Sequence, residues 1–174
     1  MQSSNAKTRI LLIEDDEDDY ILTRDLLDRV PNYSYSLEWV HDPITALSSI
    51  RLNPYDVCLL DNRLGKQNGV DFLTSIGEVG APMPIIMLTG VANRPLDEAA
   101  MKAGASDFLV KDQLSPELLE RVIRFSVERF RLNANLELLA KYDSLTGLAN
   151  RMMFQDFLAG AIARSDRGAR QLGL

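Results

Sequence analysis

Four short apolar runs in this chain stop abruptly on side chains able to do chemistry. Arg9–Ile13 stops on Glu14-Asp15, Val57–Leu60 on Asp61, Ile85–Leu88 on Thr89 and Phe108–Val110 on Lys111. With Leu37–Val40 they give five strand candidates, separated by stretches with helical spacing. The runs lack strict polar–apolar alternation, so both faces of each strand are expected to be buried, as in a parallel sheet covered on both sides. Asp42-Pro43 and Ser115-Pro116 read as N-caps followed by proline at the first helical position, and Asn68-Gly69 and Gly104 as turns. The expected architecture is α/β, a doubly wound five-stranded parallel sheet. In such a sheet ligands bind at the carboxyl ends of the strands.

Composition removes several alternatives. The longest apolar runs are too short to span a bilayer, and the N-terminal MQSSNAKTR has no signal core, so a cytoplasmic protein without membrane partners is expected. Residues 1–6 are expected to be disordered. One cysteine and one histidine exclude a disulfide framework and His-rich metal sites. Residues 1–130 hold 21 acids against 13 bases, whereas residues 131–174 hold 4 against 6. The acidic body repels nucleic acid, which is not expected as a partner, and the sign change suggests a second module near residue 131.

No proline or glycine interrupts the chain between Pro116 and Gly147, which predicts a helix of roughly 25 residues. A heptad seam runs through Leu118, Val122, Phe125, Arg129, Leu132, Leu136 and Leu139. Its first half is expected to pack mostly on the sheet. Leu132–Leu139 is expected to pair with a second copy, giving a homodimer through this helix.

Each strand end has a bland reading and a functional one. Glu14–Asp19 is six adjacent carboxylates, a solvated run unless the buried strand before it fixes Glu14 and Asp15, whose clustered oxygens would then suit Mg²⁺. Asp61 caps a loop or, beside a cation, acts as a nucleophile toward phosphorus. Thr89 and Lys111 are ordinary singly, yet at strand ends they offer a hydroxyl and a fixed ammonium to transferred oxygens. The set, one order and one polarity on four strand ends, amounts to a phosphoryl-accepting site. A flavin-phosphate loop is excluded by the six acids after the first strand. A phosphatase of the haloacid-dehalogenase type is disfavoured because Arg63 stands where the second aspartate belongs.

Over residues 7–130 the sequence closely resembles the response-regulator receiver family of two-component signalling, in Ile10–Asp16, Leu59-Leu60-Asp61, Pro84–Gly90 and Gly104–Lys111. The resemblance implies a flavodoxin-like receiver fold with an extended C-terminal helix. It implies that Asp61 accepts a phosphoryl group from a sensor histidine kinase or phosphotransfer protein. Glu14, Asp15, Asp61 and the backbone carbonyl of Arg63 would hold Mg²⁺, and Thr89 and Phe108 would form a switch pair. Two positions depart from the pattern, Asp112 and Gly65, each where the family usually has proline. The loop after Lys111 is therefore expected to differ, and the Gly65 loop to be looser.

Asp143-Ser144-Leu145-Thr146-Gly147-Leu148-Ala149-Asn150-Arg151 resembles the opening of GGDEF domains, the diguanylate cyclase family. That resemblance makes 131–142 a helical linker and 143–174 the start of an output domain, with a helix over Met152–Arg164 and a strand at Gln171–Leu174. It implies that the chain itself is not an enzyme beyond losing its phosphoryl group to water, and that its parent is a cyclic di-GMP regulator. Alternatives are a receiver-like docking scaffold that takes no phosphoryl group, or a receiver governing a degenerate cyclase plus a phosphodiesterase.

Overall fold

The computed structural model describes residues 7–77, 80–91, 93–143, 146, 148–151, 153–155 and 158. The elements run β1 (Thr8–Ile13), α1 (Glu17–Asp28), β2 (Tyr35–Val40), α2 (Pro43–Leu52), β3 (Val57–Asp61), β4 (Arg63–Leu64), β5 (Gln67–Asn68), α3 (Gly69–Gly77), β6 (Ile85–Thr89), α4 (Arg94–Lys102), β7 (Asp107–Val110), a 3₁₀ turn (Lys111–Gln113) and α5 (Pro116–Lys141). All five expected strands are present, each extended by one or two residues. They form one parallel sheet in the order β2-β1-β3-β6-β7.

Why the strands read as continuous apolar runs is now visible. Leu11, Ile13, Cys58, Leu60, Ile85 and Met87 feed a core on one face, which α2 and α3 help to close. Ile10, Leu12, Val57, Leu59, Ile86 and Leu88 feed a second core on the other face, closed by α1 and α5. Each fully buried leucine or isoleucine contributes about 1.5–3 kcal/mol, so neither face tolerates a polar residue. The strands must then end where the cores end, and the polar residue after each run is delivered to one rim of the sheet. The strand order reverses between β1 and β3, which opens a crevice at that rim.

Local chemistry sets the helix starts. Asp42 Oδ1 accepts from the amides of Ile44 and Thr45 at 3.0 and 2.9 Å, and Ser115 Oγ accepts from Leu118 N at 3.2 Å. Arg63–Leu64 and Gln67–Asn68, absent from the sequence expectation, pair as a small antiparallel hairpin. Gly65 supplies the left-handed φ of +61° that its two-residue loop requires.

The chain divides into two compact units, Met1–Phe130 and Arg131–Leu174, the boundary falling inside α5. In the first unit the buried face of α5 is Leu119, Val122, Ile123 and Ser126. Most of that face lies off the expected seam. Val122 belongs to both, but Phe125 is 53% exposed and lies under the Arg124 guanidinium. In the second unit Leu132, Leu136 and Leu139 are each more than 60% exposed. There Tyr142 and Ala149 form a bridge, and Asp143 Oδ1 accepts from both the amide and the hydroxyl of Thr146, at 2.9 and 2.8 Å. Asn150 Oδ1 accepts from Met153 N at 2.9 Å, and Arg151, Met153–Gln155 and Leu158 are helical. Residues 1–6 and the strand expected at Gln171–Leu174 lie outside the described residues.

Candidate functional site

At the rim, Glu14, Asp15, Asp61, Arg63, Thr89 and Lys111 line one cleft of about 290 Å³, joined by Asp16, Asp19, Asn62, Gly65 and Gly90. Backbone pairing fixes most of them. Glu14 N donates to Val40 O at 3.0 Å, prolonging the sheet by one residue, and Trp39 Nε1 donates to Glu14 O at 2.7 Å. The Trp39 ring in turn stacks on Tyr20 at 4.3 Å. Asp61 closes β3 and is 5% exposed, and its Oδ2 accepts from Arg63 N at 2.6 Å. Asp15 Oδ2 accepts from Gly65 N at 2.8 Å. A proline at position 65 has no N–H to give, so Gly65 ties its loop to the acidic pair here, where a looser loop was expected.

Lys111 is the hub. Its Nζ lies 2.6 Å from Glu14 Oε2, from Asp61 Oδ1 and from Asp19 Oδ2, with the side chain 12% exposed. The loop after it does depart from a proline-containing one, since Lys111–Gln113 forms a 3₁₀ turn. Burial opposes the charge on the ammonium, but its hydrogen bonds to the carboxylates of Asp19, Asp61 and Glu14 outweigh it and raise the Lys111 pKa above the ordinary lysine value. The Glu14 pKa is also raised, which for a carboxylate favours the neutral form. Burial, reinforced by the Asp61 charge and opposed by Lys111, raises its pKa to about 7.

The remaining expected residues divide. Thr89 is buried beside the cleft, its Oγ1 accepting from Val91 N at 3.4 Å. Phe108 does not line the cleft. It is half-buried on β7 against the core of Leu11, Leu60 and Met87. Three contributors were not legible from motif alone. Asp19 looked like part of a solvated run, Trp39 like an ordinary strand residue, and Gly69 like a turn. The one available signal for Asp19 is its place in the third helical position after the Asp16 N-cap, which turns it back toward the strand end.

As a cation site the donor set fits. Glu14, Asp15 and Asp61 offer carboxylate oxygens all within 4.8 Å of one another, the hard ligands Mg²⁺ prefers. A family model for the response regulator receiver domain matches residues 10–123. The chain belongs to the response regulator receiver family. It is 29% identical over 168 residues to the response regulator MprA of Mycobacterium bovis, covering 95% of this chain and 66% of MprA. To the alginate biosynthesis transcriptional regulatory protein AlgB of Pseudomonas aeruginosa it is 34% identical over 140 residues, 79% of this chain but 30% of AlgB. The receiver domain of sensor histidine kinase PA1611 of Pseudomonas aeruginosa superposes with TM-score 0.61 at 28% identity, over 71% of this chain and 99% of that one. That structure is described with a magnesium ion coordinated in its active-site cleft. This chain is thus a receiver of two-component signalling, a phosphoacceptor class whose acidic cleft binds Mg²⁺. No helix among the described residues is long and apolar enough to cross a membrane.

Proposed function

We propose that Asp61 is the phosphoacceptor of this receiver and that its state is passed through α5 to a GGDEF-type output domain beginning near Asp143. The observation that carries the first half is the Lys111 ammonium 2.6 Å from Asp61 Oδ1 inside a cleft lined by five carboxylates. A cation fixed there is placed to share its charge with a phosphoryl group on Asp61.

An Asp61 carboxylate oxygen attacks the phosphorus of a phosphohistidine on the kinase or phosphotransfer protein. The O–P bond forms as the P–N bond breaks, and the departing imidazole nitrogen keeps the electron pair. Glu14, Asp15 and Asp61, with the Arg63 carbonyl, would hold Mg²⁺, which would supply positive charge against the repulsion between these carboxylates and the phosphoryl oxygens. Lys111 donates N–H to a transferred oxygen, and the Thr89 hydroxyl exchanges its Val91 contact for another. Water later breaks the O–P bond, releasing inorganic phosphate and the free carboxylate. Thr89 and Phe108 form the switch pair, Phe108 on β7 following the hydroxyl, and α5 carries the change to Leu132, Leu136 and Leu139. Those exposed leucines are the surface on which two chains pair.

Intact mass after incubation with a small phosphodonor tests the acceptor. One phosphoryl adduct is expected, dependent on Mg²⁺ and absent from Asp61→Asn. An unlabelled chain that also fails to bind beryllofluoride supports a docking scaffold instead.

The output assignment rests on the Asp143–Arg151 motif, in which Asp143 accepts from Thr146 and Asn150 accepts from Met153 N. A second reading has support of its own, because AlgB is a transcriptional regulatory protein. Assaying the chain at the full length its gene encodes for cyclic di-GMP synthesis from GTP, beside DNA binding, separates the two.

A further inference from the structure

An ammonium has three protons; Lys111 donates to Glu14 at the end of β1 and to Asp19 in the first turn of α1 at 2.6 Å and is paired with Asp61 at the end of β3 at the same distance. A phosphoryl group arriving at Asp61 needs one of those protons. Asp61 is the group being modified. Glu14 is 2% exposed at its side chain, and losing its partner strands a buried carboxylate. Asp19 is 36% exposed, so water takes the place of Lys111 there at small cost. The cleft is lined by five carboxylates against Arg63 and Lys111, so every retained negative charge also repels the donor.

Resting on the reading of Asp61 as phosphoacceptor, we infer that Asp19 is a positioning residue that competes with the phosphoryl group for Lys111 and slows phosphorylation. In the resting receiver it neutralises the lysine and holds it over Asp61. When Asp61 is phosphorylated the Asp19 bond is the one surrendered, while Glu14 keeps the ammonium in place. The last acid of the run, through its bond to Lys111, thus slows a switch whose acceptor lies at the end of β3.

The test measures the rate of adduct formation with phosphoramidate and Mg²⁺ at fixed ionic strength in the whole chain. Wild type is compared with Asp19→Asn and with Asp18→Asn, which removes the same charge from an exposed neighbour. Asp19→Asn is expected to label roughly tenfold faster, the effect of one nearby charge at an effective dielectric of about 20–40. Asp18→Asn is expected to stay within about twofold of wild type. Beryllofluoride affinity in a double-mutant cycle with Lys111→Met supplies a readout that a structural role leaves unmoved. The gain from Asp19→Asn should disappear once Lys111 is gone. If wild type is labelled but Asp19→Asn matches Asp18→Asn, or labels more slowly than wild type, this inference alone is overturned. An unlabelled wild-type chain that also fails to bind beryllofluoride overturns the phosphoacceptor reading and this one together.

Discussion

Gly69 holds the loop that follows β3 against α3 more tightly than any side chain would allow. A Cβ placed there would lie 2.4 Å from Asp61 O, 2.9 Å from Asn62 Cα and 3.2 Å from Asp61 C. All three atoms are backbone, so no rotamer change relieves the clash. Gly69 N also donates to Asn62 O at 2.7 Å, tying helix and loop together. Its φ is not left-handed, so the cost of Gly69→Ala is steric. About 1 Å must open in one of two ways. Either α3 moves out, loosening buried Phe72, Leu73 and Ile76, or the Asp61–Asn62 peptide moves toward the cleft.

Overpacking of this kind costs about 1–3 kcal/mol, of which an alanine at the helix start returns a fraction of a kcal/mol. A net loss of about 2 kcal/mol is expected, roughly 6–8 °C in midpoint for a unit of this size. Gly90→Ala is the matched control. It lies in the same cleft, is not left-handed, and a Cβ there meets nothing within 4 Å. Its stability should change by less than about 0.5 kcal/mol. Urea unfolding gives both values. Labelling of Gly69→Ala by a phosphodonor, measured well below its midpoint, should slow by at least roughly tenfold, because the substitution displaces Asp61, the proposed acceptor, by a fraction of an ångström. A Gly69→Ala protein as stable as Gly90→Ala and labelled at the wild-type rate would refute the argument that α3 sets the position of Asp61.

Three further outcomes are expected. Glu14, with its pKa raised to about 7 from 4.5, binds a proton in the folded, metal-free receiver that it does not bind unfolded. Stability in chelator should therefore fall as pH rises from about 4.5 through 7, read as a lower urea midpoint, and Mg²⁺ affinity by calorimetry should drop about tenfold between pH 8 and pH 6 as the proton competes. Lys111→Met leaves Glu14, Asp19 and Asp61 without their cation. It should destabilise by roughly 3 kcal/mol at pH 8 and by less at pH 6, where Glu14 can take up a proton; equal losses at both would contradict the pairing. Trp39→Phe keeps the stack on Tyr20 but removes the donor to Glu14 O, so a loss of about 1–2 kcal/mol with weakened Mg²⁺ binding is expected by denaturation and calorimetry.

The sheet was legible because burial on both faces leaves a strong trace. A strand such as Ile10–Ile13 sends alternate residues to two separate cores, so it reads as an unbroken apolar run with sharp ends. Sharp ends in turn located Glu14, Asp61, Thr89 and Lys111. The hairpin of Arg63–Leu64 and Gln67–Asn68 left no such trace, since two-residue strands bury only Leu64 and their main signal is the positive φ of Gly65. The seam on α5 misled for a related reason. Leucines every three to four residues mark both a coiled-coil stripe and a sheet-facing stripe, and only the register of the helix on the sheet chose Leu119, Ile123 and Ser126 over Phe125.

What adjacency in sequence hides best is the division of labour inside Glu14–Asp19. Six neighbouring carboxylates share one charge and one solvent preference until the chain turns from strand to helix at Asp16. Glu14 still belongs to the sheet and is buried. Asp15 reaches across to Gly65. Asp16 spends its oxygen on the amides of Asp18 and Asp19 as an N-cap, leaving Glu17 and Asp18 on the outside. Asp19, one helical turn on, returns to the same lysine as Glu14. The turn therefore places two members of the run, five residues apart, on the one ammonium that also pairs with Asp61. Shifting the Asp16 cap would swing Asp19 away from Lys111 while leaving every strand-end residue of the motif in place.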